Sequence, residues 1–186
     1  GECVMASKIK VDTLETANGS GTIALSNQLS GMTTASLPAL GSAQMPSGSV
    51  LQVINATTTT EVSNSTNTFV NTGLTATITP SSTSSKILVM VNQNGVFKSD
   101  GSANNALSIK LLKDSTDISL ITGSTGYTAT AIQNYDATVS TSYLDSPSTT
   151  SATTYKTQFK SANNTSVVAV NRGSTESTIT LMEIKG

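Results

Sequence analysis

One residue in three is a short hydroxyl amino acid: 29 serines and 32 threonines in 186 positions. Threonine suits a pleated, half-buried strand surface, and serine, with asparagine and glycine, suits the turns between strands. Hydroxyl residues displace both other classes, leaving 36% hydrophobic and 11% charged positions. Typical domains hold about 45–50% and about 25%. Coiled coils and helical bundles, which need Ala, Glu, Lys, Leu and Arg in bulk, are disfavoured. A formal net charge of −1 removes charge repulsion as a cause of disorder. An all-β chain is expected.

Composition also excludes chemistry. The sequence contains no histidine, hence no imidazole base, no Ser-His-Asp triad and no histidine-ligated metal. Ten basic residues against eleven acidic ones leave no electrostatic footprint for nucleic acid. The one cysteine, Cys3, cannot staple a monomer and is either inert or paired to another chain. No apolar stretch approaches the ~20 residues of a membrane span, and no apolar leader follows the N-terminus, so neither membrane insertion nor export is expected. No cofactor is implied.

Gly1 to Val4 precede Met5-Ala6-Ser7-Lys8, which reads as a natural start. Ile9, Val11 and Leu14 then alternate with polar residues, and Ile23 and Leu25 mark a second short strand after the turn Asn18-Gly19-Ser20-Gly21. Residues 26–49 carry Gly31, Pro38, Gly41, Pro46 and Gly48 without a sustained period. This pattern predicts an extended arm over residues 1–47, with Ile9, Val11, Leu14, Ile23 and Leu25 as its attachment residues.

From residue 48 short strands follow one another, separated by turns every 8–15 residues, which predicts a β-sandwich or barrel head over 48–186. Expected strands begin at Val50–Ile54 and include Phe69–Val70, Leu74–Ile78, Lys86–Asn92, Leu107–Leu112, Ile118–Ile121, Tyr127–Ile132, Val139–Leu144, Tyr155–Phe159, Ser166–Val170 and Thr178–Ile184. Lys86–Asn92 is apolar on both faces and reads as the most buried strand. Three Phe, four Tyr and no Trp make a thin core. Copies of the chain are therefore expected to complete it, and a homotrimer is predicted.

Asp114 and Asp117 form the one close carboxylate pair in the strand region. Lys113-Asp114-Ser115-Thr116-Asp117 reads as a hairpin turn rather than as glycosidase chemistry. Asp100-Gly101-Ser102-Ala103-Asn104-Asn105 has the oxygens of a calcium loop without its closing Glu. No catalytic, metal or cofactor-binding residue is assigned, and an enzyme is not expected. Tyr127, Tyr135 and Tyr143 recur every eight residues among Thr, Ala and Asn. They form either a receptor- or glycan-contacting surface or a cap on the sandwich edge.

Two segments carry a resemblance. Residues 5–23, from Met-Ala-Ser-Lys-Ile-Lys-Val-Asp-Thr-Leu to Gly-Ser-Gly-Thr-Ile, resemble the opening of structural proteins of tailed bacteriophages, especially those of marine bacteria and cyanobacteria. Residues 69–89, including Thr-Pro-Ser-Ser-Thr-Ser-Ser-Lys, and the ending Ile179-Thr-Leu-Met-Glu-Ile-Lys-Gly resemble head domains of the same class of fibre and virion proteins. The resemblance implies a jelly-roll head similar to trimeric tumour-necrosis-factor-like modules, on the exterior of a virion. The implied partners are the chain itself, phage capsid or tail proteins, and a host cell-surface glycan as candidate ligand. The corresponding function is a short fibre or decoration with an adhesive head. The alternatives are a purely capsid-stabilising decoration and a bacterial surface adhesin.

Overall fold

Runs of Val, Ile, Leu and Thr at every second position form strands, because alternate side chains leave opposite faces of a pleated backbone. In the computed structural model, the chain divides into two units, Gly1–Ala39 and Leu40–Gly186. The structure describes residues 41–99, 104–129, 134–163 and 166–186. The expected arm residues Ile9, Val11, Leu14, Ile23 and Leu25 lie outside them.

The second unit is all-β. Its strands are β1 (Val50–Thr58), β2 (Val62–Asn64), β3 (Val70–Ile78), β4 (Lys86–Lys98), β5 (Asn105–Lys113), β6 (Thr116–Thr128), β7 (Tyr135–Asp145), β8 (Thr153–Ser161), β9 (Val168–Val170) and β10 (Ser177–Ile184). They form two antiparallel sheets, a β-sandwich arrangement. The second sheet has the order β3-β8-β5-β6.

The first sheet is organised by β4. Strand β7 pairs with β4 from Ile87 to Lys98. A strand has two edges, so the other edge is shared: β10 takes Lys86–Asn92 and β9 takes Phe97–Lys98. Beyond β10 lies β1, and beyond β9 lies β2. Between β9 and β10 the chain steps outward at Asn171, which has φ 57°, through a 3₁₀ turn at Arg172–Ser174. This link sits against Gly95, where β4 bulges with φ +55° and the β7 register shifts between Gln93 and Val96. A β-carbon at Gly95 would fall 2.3 Å from the Arg172 amide nitrogen. Only glycine fits.

Between the sheets lie two apolar clusters. One joins Leu74, Ala76, Ile78, Ile87, Val89, Val91, Leu111, Tyr155, Ile179 and Leu181. The other joins Val96, Leu107, Ile109, Phe159, Val168 and Val170. Between Val91 and Val96 on β4, Gln93 is buried and polar. Its amide donates to Asn171 Oδ1 at 2.9 Å and to Ser177 Oγ at 2.8 Å, and its carbonyl accepts from Thr157 Oγ1 at 3.1 Å. Thr157 in turn meets Thr72 at 2.6 Å. Each of these groups has a partner, as burial away from water requires.

Several expectations need correction at the level of elements. Ile118–Ile121 and the start of the next expected strand, Tyr127–Thr128, belong to one strand, β6, residues 130–132 lying outside the described residues, and Phe69–Ile78 holds one bulged strand, β3, with Gly73 at φ 87°. Strand β2 was not anticipated. The central strand β4 buries Ile87, Val89 and Val91, whereas Leu88 and Met90 on its other face remain half-exposed.

Candidate functional site

Leu88 and Met90 belong to a larger surface. Inter-strand register places Val53 opposite Met182, Met182 opposite Leu88, and Leu88 opposite Leu144. These four residues face outward, opposite the core-facing Ile54, Leu181, Val89 and Tyr143, and run straight across β1, β10, β4 and β7. Val53 is 52% exposed and Leu144 53%. The row is flanked by Met90 on one side and by the pair Val50 and Ile184 on the other. Further along the sheet the same face turns polar, with Thr180 bonded to Asn55 at 3.0 Å and Ser140 bonded to Asn92 at 2.8 Å. One end of this face is therefore apolar across all four strands, and the other carries paired hydroxyls and amides.

Sequence periodicity marks strand 86–92, apolar on both faces, and strand 178–184. It cannot align Val53 and Leu144 with them, because register is a property of pairing between distant segments. The tyrosines do not form one surface. Tyr143 lies on the inner face of β7, opposite Val89, and packs against the larger apolar cluster. Tyr127 is 56% exposed and donates to Asn104 Oδ1 at 2.7 Å. Tyr135 is exposed too, with its ring lying over Gly126.

The carboxylates are engaged structurally. Asp114 at the β5–β6 turn has φ 54° and accepts from the Thr154 amide at 2.9 Å, while Asp117 pairs with Lys110 at 2.8 Å. Asp145 joins Lys113 at 3.0 Å and accepts from the buried Tyr155 hydroxyl at 2.7 Å. Burial, then that hydrogen bond and the charge of Asp145, push the Tyr155 hydroxyl far above its ordinary pKa of 10.0.

Glu183 is the most enclosed acid among the described residues, only 1% exposed. One oxygen accepts from Ser85 Oγ at 2.6 Å, Ser81 Oγ at 2.7 Å and the Ser81 amide at 2.7 Å. The other accepts from Gln52 Nε2 at 2.6 Å. Burial by itself raises the carboxyl pKa. The bonds from Ser85, Ser81 and Gln52 outweigh it and hold the group below its ordinary 4.5.

Among the described residues no three His, Cys, Asp or Glu side chains gather as a metal site, and no helix is long and apolar enough to cross a membrane. The outer face of the first sheet thus carries an apolar row beside a polar region. No protein-family model matches the sequence, and no curated protein matches it.

Proposed function

We propose that the chain is a non-catalytic virion structural protein of the tailed-phage type, a short fibre or decoration whose head assembles as a homotrimer through the outer face of the first sheet. The observation that carries this reading is the apolar row Val53–Met182–Leu88–Leu144. Contiguous apolar surface on one face of a sheet marks a protein contact. A second copy of the same chain is the occupant that needs no other gene product, and three is the number that the resemblance implies.

The strand order supports a jelly-roll head. Setting aside the short β2 and β9, the two sheets read β1-β10-β4-β7 and β3-β8-β5-β6. Every connection between the eight long strands crosses from sheet to sheet except the β5–β6 hairpin, the winding expected of two interlocked Greek keys. The phage reading gains support from Glu183. It belongs to the ending Ile179–Gly186, whereas Ser81 and Ser85 belong to the Thr-Pro-Ser-Ser-Thr-Ser-Ser-Lys phrase. The separately recognisable segments thus form one hydrogen-bonded unit.

Light scattering on the purified chain at micromolar concentration is expected to report three copies. The double variant Leu88→Asp with Leu144→Asp is expected to run as a monomer with an unchanged β circular-dichroism spectrum, because both side chains point away from the core. A stable wild-type monomer, or a variant that stays trimeric, overturns the proposed interface.

A further inference from the structure

The two outer faces of the sandwich differ in kind. On the second sheet, β8 alternates strictly: Tyr155, Thr157 and Phe159 point inward, and Lys156, Gln158 and Lys160 point outward. Strand β5 adds Lys110, directly opposite Gln158. Three lysines thus surround one glutamine on a flat surface, with Asn71 bonded to Gln158 at 3.0 Å and Thr75 opposite Lys156. Asp117, at the margin, neutralises Lys110 alone. Among the described residues neither Lys156 nor Lys160 has a carboxylate partner. Phe69 lies in the same surface, with the Lys110 ammonium 4.2 Å and the Lys160 ammonium 5.0 Å from its ring centre. Phe69, Lys110, the 64%-exposed Leu120 and the carboxylate Asp117, which pairs with Lys110, line a shallow groove of about 330 Å³.

We infer that this face binds an acidic polysaccharide. Lys156 and Lys160 are four residues apart on one strand, which separates their origins by about 13 Å. Such charges do not converge on one small anion. They match an extended polyanion, whose hydroxyl groups find Gln158, Asn71 and Thr75 between the ammonium groups. Apolar ring faces find Phe69 and Leu120. Three cations on a chain of net charge −1 are too few for a phosphate backbone, which is bound by larger basic surfaces. The inference deepens the proposed adhesive role and rests on it for multivalency: a head that turns its first sheet toward its copies presents the second sheet outward in each, so weak contacts combine.

The test titrates the full chain with polygalacturonate, dextran sulfate, neutral dextran and duplex DNA at low and at physiological salt. Wild-type protein is expected to bind polygalacturonate or dextran sulfate in a salt-sensitive manner, and which of the two binds tells carboxylate from sulfate recognition. Neutral dextran is expected not to bind. The double variant Lys156→Gln with Lys160→Gln should lose about tenfold or more in affinity, while Lys86→Gln on the opposite sheet leaves it unchanged. Light scattering on the same samples reads assembly separately, so a monomer that still binds polyanion defeats the trimer and not this site. The inference is overturned if neither acidic polymer binds, if the double variant binds like wild type while retaining its melting temperature, or if DNA binds as tightly as the polysaccharides.

Discussion

Glu183 shows how a single side chain decides a local architecture in this protein. Its carboxylate gathers the Ser81–Ser85 turn, the β1 residue Gln52 and its own strand β10 around two oxygens, without a cation. Hydrogen bonds to a charged acceptor are about twice as strong as neutral ones, which is how a carboxylate remains ionised when buried. Glu183→Gln replaces one acceptor oxygen with an NH₂ group and sets donor against donor. We expect a loss of about 2–3 kcal/mol, measured by urea denaturation at pH 7. The pH dependence follows from the lowered pKa. The folded carboxyl holds its proton less tightly than the unfolded one, so unfolding takes up a proton and acid favours it. This contribution is complete above the ordinary value of 4.5 and is lost as pH falls through the lower folded value. Stability of the wild type should therefore decline on acidification below about that point by more than that of Glu183→Gln; parallel profiles would count against it.

Among the elements, β4 holds the fold together, and its irregularity is as informative as its regular part. The bulge at Gly95 lets one edge of the strand serve two partners, β10 and β9, by making room for the link Arg172–Ser174 between them. Gly95→Ala would need φ +55° from an L-residue and would drive its methyl into Arg172 N and Thr175 Oγ1. An expected cost of about 3 kcal/mol or more should appear as a lowered urea midpoint; a change under about 0.5 kcal/mol, the usual scale for surface substitutions, would mean that the link does not depend on the bulge. Much at this scale was legible in the sequence. Alternation located β1, β5, β7, β8 and β10, and a run apolar on both faces located β4. The rest failed for physical reasons. Strand β6 is interrupted in the text by Gly123 and Gly126 and pairs with β5 through repeated register shifts, so its period of two is lost. Strand β2 is three residues long, too short to show a period. The apolar row depends on pairing between residues 53, 88, 144 and 182, and the lysine face on pairing between β5 and β8. No local pattern encodes either. The tyrosine spacing misled for another reason: Tyr135 and Tyr143 share one face of β7, but Tyr135 stands exposed at its end and Tyr143 packs on the core, while Tyr127 belongs to β6.

For the whole molecule, the proposed sharing of an apolar face among copies would tie stability to concentration. A chain that completes its surface by assembly is stabilised by mass action, so its melting temperature should rise with protein concentration. We expect an upward shift on going from one to one hundred micromolar, absent in the Leu88→Asp/Leu144→Asp variant; an invariant wild-type melt would place assembly outside the folding equilibrium. The sheet order carries a further consequence, for the order of events on the ribosome. Strand β10 lies between β1 and β4, so its residues 177–184 must be delivered before β1, the first of the described strands to emerge, finds its neighbour. Until then β1 waits through more than a hundred residues of synthesis with both backbone edges open, and a nascent chain arrested before residue 177 lacks the strand that joins β1 to β4. Non-local pairing of this kind closes late and slowly. Because the apolar row draws Met182 from that same strand, a truncated chain also lacks part of the proposed contact surface. A shortened product would thereby be excluded from the proposed assembly.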